Sequence, residues 1–118
     1  MCMGTARTSG TGHRPVVLQG TLEPMILAVI ASAGELHGYG IARAIERKSG
    51  AVFTIEEGSL YPAMRRLVER GHVRSRWTIG PSGRRARSYW LSASGARELG
   101  RQRELWVAVR VGVDSVLA

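Results

Sequence analysis

A chain of 118 residues with 44% hydrophobic residues has room for one packed domain and too much apolar content to remain unfolded. The charge is lopsided: 17 Lys+Arg against 9 Asp+Glu give +8, which draws polyanions, nucleic acid first and an anionic membrane surface second. The single cysteine, Cys2, excludes an internal disulfide or a thiolate zinc cluster, and no apolar run approaches the ~20 residues of a membrane span, so a cytoplasmic protein without membrane attachment is expected.

Residues 1–15 are rich in Gly, Thr, Ser and Arg without periodicity and read as a flexible N-terminal tail. Thr21 then offers a helix cap, followed by Glu23 and Pro24 in the first turn, where a missing N–H costs little. Leu22, Met25, Ile26, Val29 and Ile30 follow at three-four spacing, which predicts a first helix ending at Ala33-Gly34. A second helix begins near Gly38, turns Ile41, Ala42 and Ile45 inward, and stops at Gly50. Val52–Ile55 is β-leaning and predicts a short strand. The third helix starts between Glu57 and Ser59. Pro62 favours the later start, because proline is tolerated in a first turn and disruptive further in. Leu60, Met64, Leu67 and Val68 form its buried stripe, leaving Arg65, Arg66 and Arg70 outside before Gly71 ends it.

The period then changes to two. Val73, Ser75, Trp77 and Ile79 alternate with Arg74, Arg76 and Thr78; Gly80-Pro81-Ser82-Gly83 is a turn; and Ala86–Leu91 returns as a second strand. From Arg65 to Arg87 the chain carries eight arginines and one acid, Glu69, a density of one sign that a merely solvated face does not need. Ser92 or Ser94 caps a last helix reaching about Val116. Leu99, Gln102, Trp106, Val109, Val113 and Val116 fall at 3-4-3-4 spacing, either covering the chain's own core or forming a seam with a second copy. The seam is the expectation, because three helices and a hairpin already close a core. Gly100 and Gly112 each weaken this helix by ~1 kcal/mol, so partner packing has to compensate.

The fold class expected is mainly α with a small β-hairpin: a winged helix-turn-helix over 16–92 followed by a C-terminal dimerisation helix over 93–118. In such a layout the third helix, about 59–70, enters the major groove of double-stranded DNA, and the wing, 79–87, lies on the backbone or minor groove. Ser59, Tyr61, Arg65 and Arg66 then face DNA from the third helix, with hydroxyls and helix N–H groups for phosphate and arginines for phosphate or guanine edges. Ser59 serves alternatively as a plain cap, and Tyr61 as a residue half-buried against Pro62 and the hairpin. His37 and Tyr39 open the helix that crosses the backbone, either bonding phosphate or acting as cap and core-edge filler. Arg84, Arg85 and Arg87 sit at the wing tip, where a narrow minor groove attracts arginine. Arg85 is the first choice among them.

The motifs Gly20-Thr21-Leu22, His37-Gly38-Tyr39-Gly40-Ile41, Glu57-Gly58-Ser59-Leu60-Tyr61-Pro62-Ala63, Arg66-Leu67, Arg84-Arg85-Ala86-Arg87-Ser88-Tyr89 and Leu91-Ser92-Ala93-Ser94-Gly95 together resemble the PadR family of bacterial transcriptional regulators, in its smaller branch with a single C-terminal helix. The resemblance covers about Leu18 to Leu91. It implies a dimeric, ligand-responsive, cytoplasmic repressor without catalysis or cofactor. Gly40 stands where the family often carries Glu, and the N-terminal segment before Val16 is longer than the family needs. Multidrug-sensing members carry a tryptophan in the last helix that stacks on aromatic ligands between protomers, and Trp106 resembles it. A small hydrophobic or aromatic effector follows from that likeness, while a simple dimer-core anchor is the other reading of Trp106.

No Ser/His/Asp order, paired carboxylates or phosphate loop suggests an enzyme, and His13, His37 and His72 are too scattered for a metal site. Glu56 and Glu57 open a helix, where acids meet its dipole favourably. The competing readings are an RNA-binding winged helix and a protein-interaction module. A-form RNA hides its major groove from an inserted helix, and a protein-interaction role would not need Arg65 or Arg85.

Overall fold

Ile26, Leu27, Val29 and Ile30 are buried on one side of α1 (Leu22–Ala33), the helix on which the other elements assemble. The computed structural model describes residues 20–118, so the tail expected over 1–15 lies outside the described residues. Thr21 holds the N-cap position of α1, and the N–H of Gly34 bonds the Ile30 carbonyl at its other end. After α1 come β1 (Leu36–His37) and α2 (Gly38–Lys48), which buries Ile41, Ala42, Ala44 and Ile45. Then follow α3 (Glu57–Glu69), β2 (Val73–Ile79), β3 (Arg85–Leu91) and α4 (Ala93–Leu117).

Two expectations are corrected between α2 and α3. Val52–Ile55 is not a strand. The N–H groups of Ala51 and Val52 bond the carbonyls of Glu46 and Ser49, that of Phe53 bonds Ser49 Oγ, and that of Ile55 bonds the Glu46 carboxylate. With the donors of Val52, Phe53 and Ile55 spent on the end of α2, the segment has too few left to build a ladder. The third helix also starts earlier than Pro62 suggested. The Glu56 carbonyl accepts from Ser59 and Leu60, and Pro62 lies inside the helix. Its missing N–H would have bonded Gly58, which is exposed and can give its carbonyl to water.

The sheet has the order β1-β3-β2, antiparallel throughout. Strand β1 escapes a sequence reading because it pairs only Leu36 with Tyr89 and His37 with Ser88. In the β2–β3 ladder Val73 faces Leu91, Ser75 faces Tyr89, Trp77 faces Arg87 and Ile79 faces Arg85. These four pairs share one face. Its base, Val73 and Tyr89, is buried in the core, whereas Trp77 and Ile79 beyond it are exposed.

Helix α4 is pinned where it begins. Ser92, rather than Ser94, is the cap: its Oγ accepts from the Gly95 N–H at 3.1 Å and donates to the Gly71 carbonyl. Ser94 Oγ donates to the same carbonyl, and the Ser92 N–H bonds the His72 carbonyl. The backbones approach so closely that a Cβ on Gly95 would lie 1.9 Å from the His72 oxygen. Leu99 is buried in the protomer's own core cluster, but from Arg103 onward every residue of α4 is exposed.

Candidate nucleic-acid interface

Helix α3 turns Leu60, Ala63, Met64 and Leu67 into the core. At 3.6 residues per turn the opposite face carries Gly58, Pro62, Arg65 and Glu69. Arg65 is exposed and, among the described residues, in no ion pair. The first half of this face lacks long side chains, so a partner's backbone can come close there. Ser59 is exposed on one flank, inside the first turn rather than at the cap, which Glu56 occupies. On the same flank Arg66 Nε and Arg70 Nη1 each meet a carboxylate oxygen of Glu23 at 2.8 Å. Arg66 and Arg65, equivalent by sequence, therefore stand in different electrostatic settings.

Tyr61 projects from the other flank, 40% exposed. Its ring covers Gly38 so closely that a Cβ there would lie 3.0 Å from the phenol oxygen. Partial burial, the nearby Glu57 charge and Tyr89 raise its phenol above the usual range, which keeps the hydroxyl a neutral donor.

The α2 N-terminus lies between α3 and the hairpin. His37 holds the N-cap position without a side-chain cap bond; its Nε2 is instead 2.9 Å from Thr78 Oγ1, and Thr78 in turn donates to the Ala86 carbonyl. Tyr39 is not a core-edge residue: it is 73% exposed. The Arg43 guanidinium lies 5.4 Å from its ring centroid and 2.7 Å from Glu46. Arg43 was not singled out by sequence, although its place four residues after Tyr39 puts both on one helix face.

On the hairpin, the Arg85 and Arg87 guanidinium groups lie 4.6 and 5.1 Å from the centroid of Trp77, and Arg87 Nη2 also donates to Ser75 Oγ. Arg84 is exposed in the turn. The other hairpin face is tied to the α1–α2 turn. Buried Ser88 donates to the Glu35 carboxylate, which Arg76 also reaches at 3.2 Å. The Ser88 hydrogen bond and then the Arg76 charge hold Glu35 below the usual carboxylate range. Arg76 also lies 5.2 Å from the Trp90 ring centroid.

A continuous line of contacts thus runs from Tyr61 on α3 to Gly38 at the start of α2, to His37 of β1 and on to Thr78 in the hairpin. It brings Tyr61, Tyr39 with Arg43, and the hairpin arginines to neighbouring elements. Along α4 the stripe divides. Leu99 lies in the core and Gln102 is half-buried, bonding Glu98 at 2.7 Å, while Trp106, Val109, Val113 and Val116 are exposed. Leu105, Val107, Val111 and Leu117 are exposed as well. Among the described residues no group of three or more His, Cys, Asp or Glu is placed to hold a metal, and no helix is long and apolar enough to cross a membrane.

Residues 26–101 match the transcriptional regulator PadR-like family. The negative transcriptional regulator PadR of Bacillus subtilis is 30% identical over 66 residues, 56% of this chain and 36% of that protein. The match therefore spans about a third of that relative's length. The crystal structure of Bacillus subtilis PadR in complex with operator DNA superposes with a TM-score of 0.61 at 28% identity, covering 69% of this chain and 45% of that one. A transcriptional regulator from Clostridium thermocellum shares the fold at a TM-score of 0.76 and 24% identity, over 85% of this chain and 96% of that one.

Proposed function

The chain belongs to the transcriptional regulator PadR-like family, a family of regulators and not of enzymes, and from that premise we propose that it is a dimeric, cytoplasmic, operator-binding repressor. The observation that carries the reading is the line of contacts from Tyr61 through Gly38 and His37 to Thr78. It puts α3, the α2 N-terminus and the hairpin side by side, as simultaneous contact with one groove and its flanking phosphates requires.

In this reading Arg65 enters the major groove, with Ser59 and Tyr61 donating to phosphates on either side of it and Arg66 joining them on leaving Glu23. Tyr39 and Arg43 contact the backbone that α2 crosses; His37, held on Thr78, sets the hairpin angle. Arg84, Arg85 and Arg87 follow the flanking backbone or minor groove. The likeness to the operator-bound Bacillus subtilis protein supports this assignment. The domain division follows: a winged helix through residue 92 and a dimerisation helix from 93.

Dimerisation is supported by α4, whose Trp106, Val109, Val113 and Val116 expose a stripe that a soluble monomer has no reason to carry. Two α4 helices packed along it would hold two α3 helices one helical turn of DNA apart. Trp106 gives the middle of this seam a flat aromatic surface, suited to a hydrophobic or aromatic effector. Such an effector lowers operator affinity only through its differential affinity for the two helix arrangements.

The test is a fluorescence-anisotropy titration of the full chain with duplex DNA selected from a random pool, repeated across salt concentrations. Binding should fall steeply, each phosphate contact contributing about 0.9 to the logarithmic slope. Arg65→Ala should weaken specific binding by about 1–3 kcal/mol. A flat salt response, or equal competition by structured RNA, would refute the reading.

A further inference from the structure

We infer that Trp77 is a positioning residue for Arg85 and Arg87, holding both guanidinium groups ready for phosphate before DNA arrives. The inference rests on the DNA-binding reading of the hairpin. Trp77 is 54% exposed and stands outside the core cluster, so core packing does not account for it. What it touches is cationic: both guanidinium groups lie within about 5 Å of its ring centroid, inside the range of cation–π attraction.

Arg66 and Arg70 share Glu23, Arg76 meets Glu35, and Arg43 meets Glu46. Each of those carboxylates cancels charge and occupies guanidinium N–H groups. An aromatic ring does neither. It attracts the guanidinium through its π-face without accepting from the N–H donors that grip phosphate, of which Arg87 gives one to Ser75. The positive charge is retained in full.

Arginine carries large rotamer entropy, which is lost when it is fixed on a ligand. Restricting Arg85 and Arg87 beforehand reduces that loss at the moment of binding. Cross-strand register provides the geometry: Arg87 is directly opposite Trp77, Arg85 is the diagonal neighbour opposite Ile79, and both are on the Trp77 face. Arg87 is held further by Ser75.

The test is a thermodynamic cycle on the full chain with the pool-selected duplex, using Trp77→Leu, Trp77→Phe and the pair Arg85→Ala/Arg87→Ala. Folding of each variant is checked by circular dichroism. Trp77→Leu should weaken binding about 5- to 20-fold, with the salt slope unchanged, and Trp77→Phe should recover most of the loss. In the Arg85→Ala/Arg87→Ala background Trp77→Leu should change affinity less than about twofold. In the free protein, ring-current shifts on the Arg85 and Arg87 side-chain protons should vanish in Trp77→Leu. A full Trp77→Leu effect without the arginines would overturn the inference, because Trp77 would then act on DNA or the fold directly. A silent Trp77→Leu alongside damaging arginine substitutions would overturn the inference alone. Unchanged binding by Arg85→Ala/Arg87→Ala would overturn the hairpin reading and the inference with it.

Discussion

Replacing Gly95 by alanine should separate local helix propensity from tertiary geometry. Gly95 is the third residue of α4, and alanine is the better helix former by at most ~1 kcal/mol. Propensity alone therefore predicts a small gain. The structure predicts the opposite sign. The new Cβ would lie 1.9 Å from the His72 carbonyl oxygen, where real Cβ contacts essentially never fall under 3.0 Å. Either the first turn of α4 or the Gly71-His72 turn must move by about an ångström, and neither is a flexible side-chain end. That movement strains the bonds from Ser92 N to His72 and from the Ser92 and Ser94 hydroxyls to Gly71. Overpacking of this kind costs about 1–3 kcal/mol, and each weakened hydrogen bond about 0.5–1.5. Set against the propensity gain, the net is about 2–6 kcal/mol of destabilisation, which lowers Tm by roughly 10–30 °C for a domain of this size. Gly100→Ala is the matched control: nothing lies within 4 Å of a Cβ there, so it should raise Tm by a few degrees. Thermal melts by circular dichroism at equal protein concentration make the comparison, because the proposed dimer would make Tm concentration-dependent. A Gly95→Ala variant as stable as the parent would refute the reasoning.

Four further outcomes are expected. Glu23→Gln should release Arg66 and Arg70 at little cost in stability, since exposed ion pairs contribute little, and should tighten binding to random-sequence duplex with a steeper salt dependence. Hydrogen bonds from Arg101 and then Gln102 hold the Glu98 carboxyl at about 2, below its ordinary 4.5. A depressed carboxylate stabilises the fold fully above its unfolded pKa and loses that effect as pH falls through the folded one; Glu98→Gln should therefore lower Tm at pH 7, where that contribution is fully present, and flatten the acid side of the Tm profile between about pH 4.5 and 2. Leu99→Ala should cost about 2–5 kcal/mol as a core truncation, whereas Val113→Asp should give a monomer by sedimentation that keeps the winged helix folded.

Helices α1 and α2 and the hairpin announce themselves because their apolar residues keep one period and their ends carry Gly, Ser or Thr. Val52–Ile55 misleads because propensity counts side chains, while the outcome was decided by where the backbone N–H groups found acceptors at the end of α2. Trp77 and Ile79 continue the inward alternation of Val73 and Ser75, yet the strand outruns the core, so the same phase turns from buried to exposed. Arg65 and Arg66 differ through Glu23, 43 residues from Arg66 in the chain, and no local spacing reveals such a partner. Leu99 and Trp106 share a stripe, but the helix leaves the body of the protein between them.

Strand β1 is only two residues long, and its consequence is mechanical. Together with the His37–Thr78 contact it braces the hairpin as far out as Ser88 and Thr78, leaving an overhang of only a few residues, about 10 Å at 3.3 Å each. So short a cantilever bends little. Within one protomer, hairpin tip and α3 then behave as the two jaws of a fixed caliper, whereas in the proposed dimer the distance between calipers would be set by how two α4 helices cross. On the proposed operator-binding reading, a half-site should accordingly tolerate no inserted base pair between groove and flank, and any adjustable spacing should fall at the centre of the site.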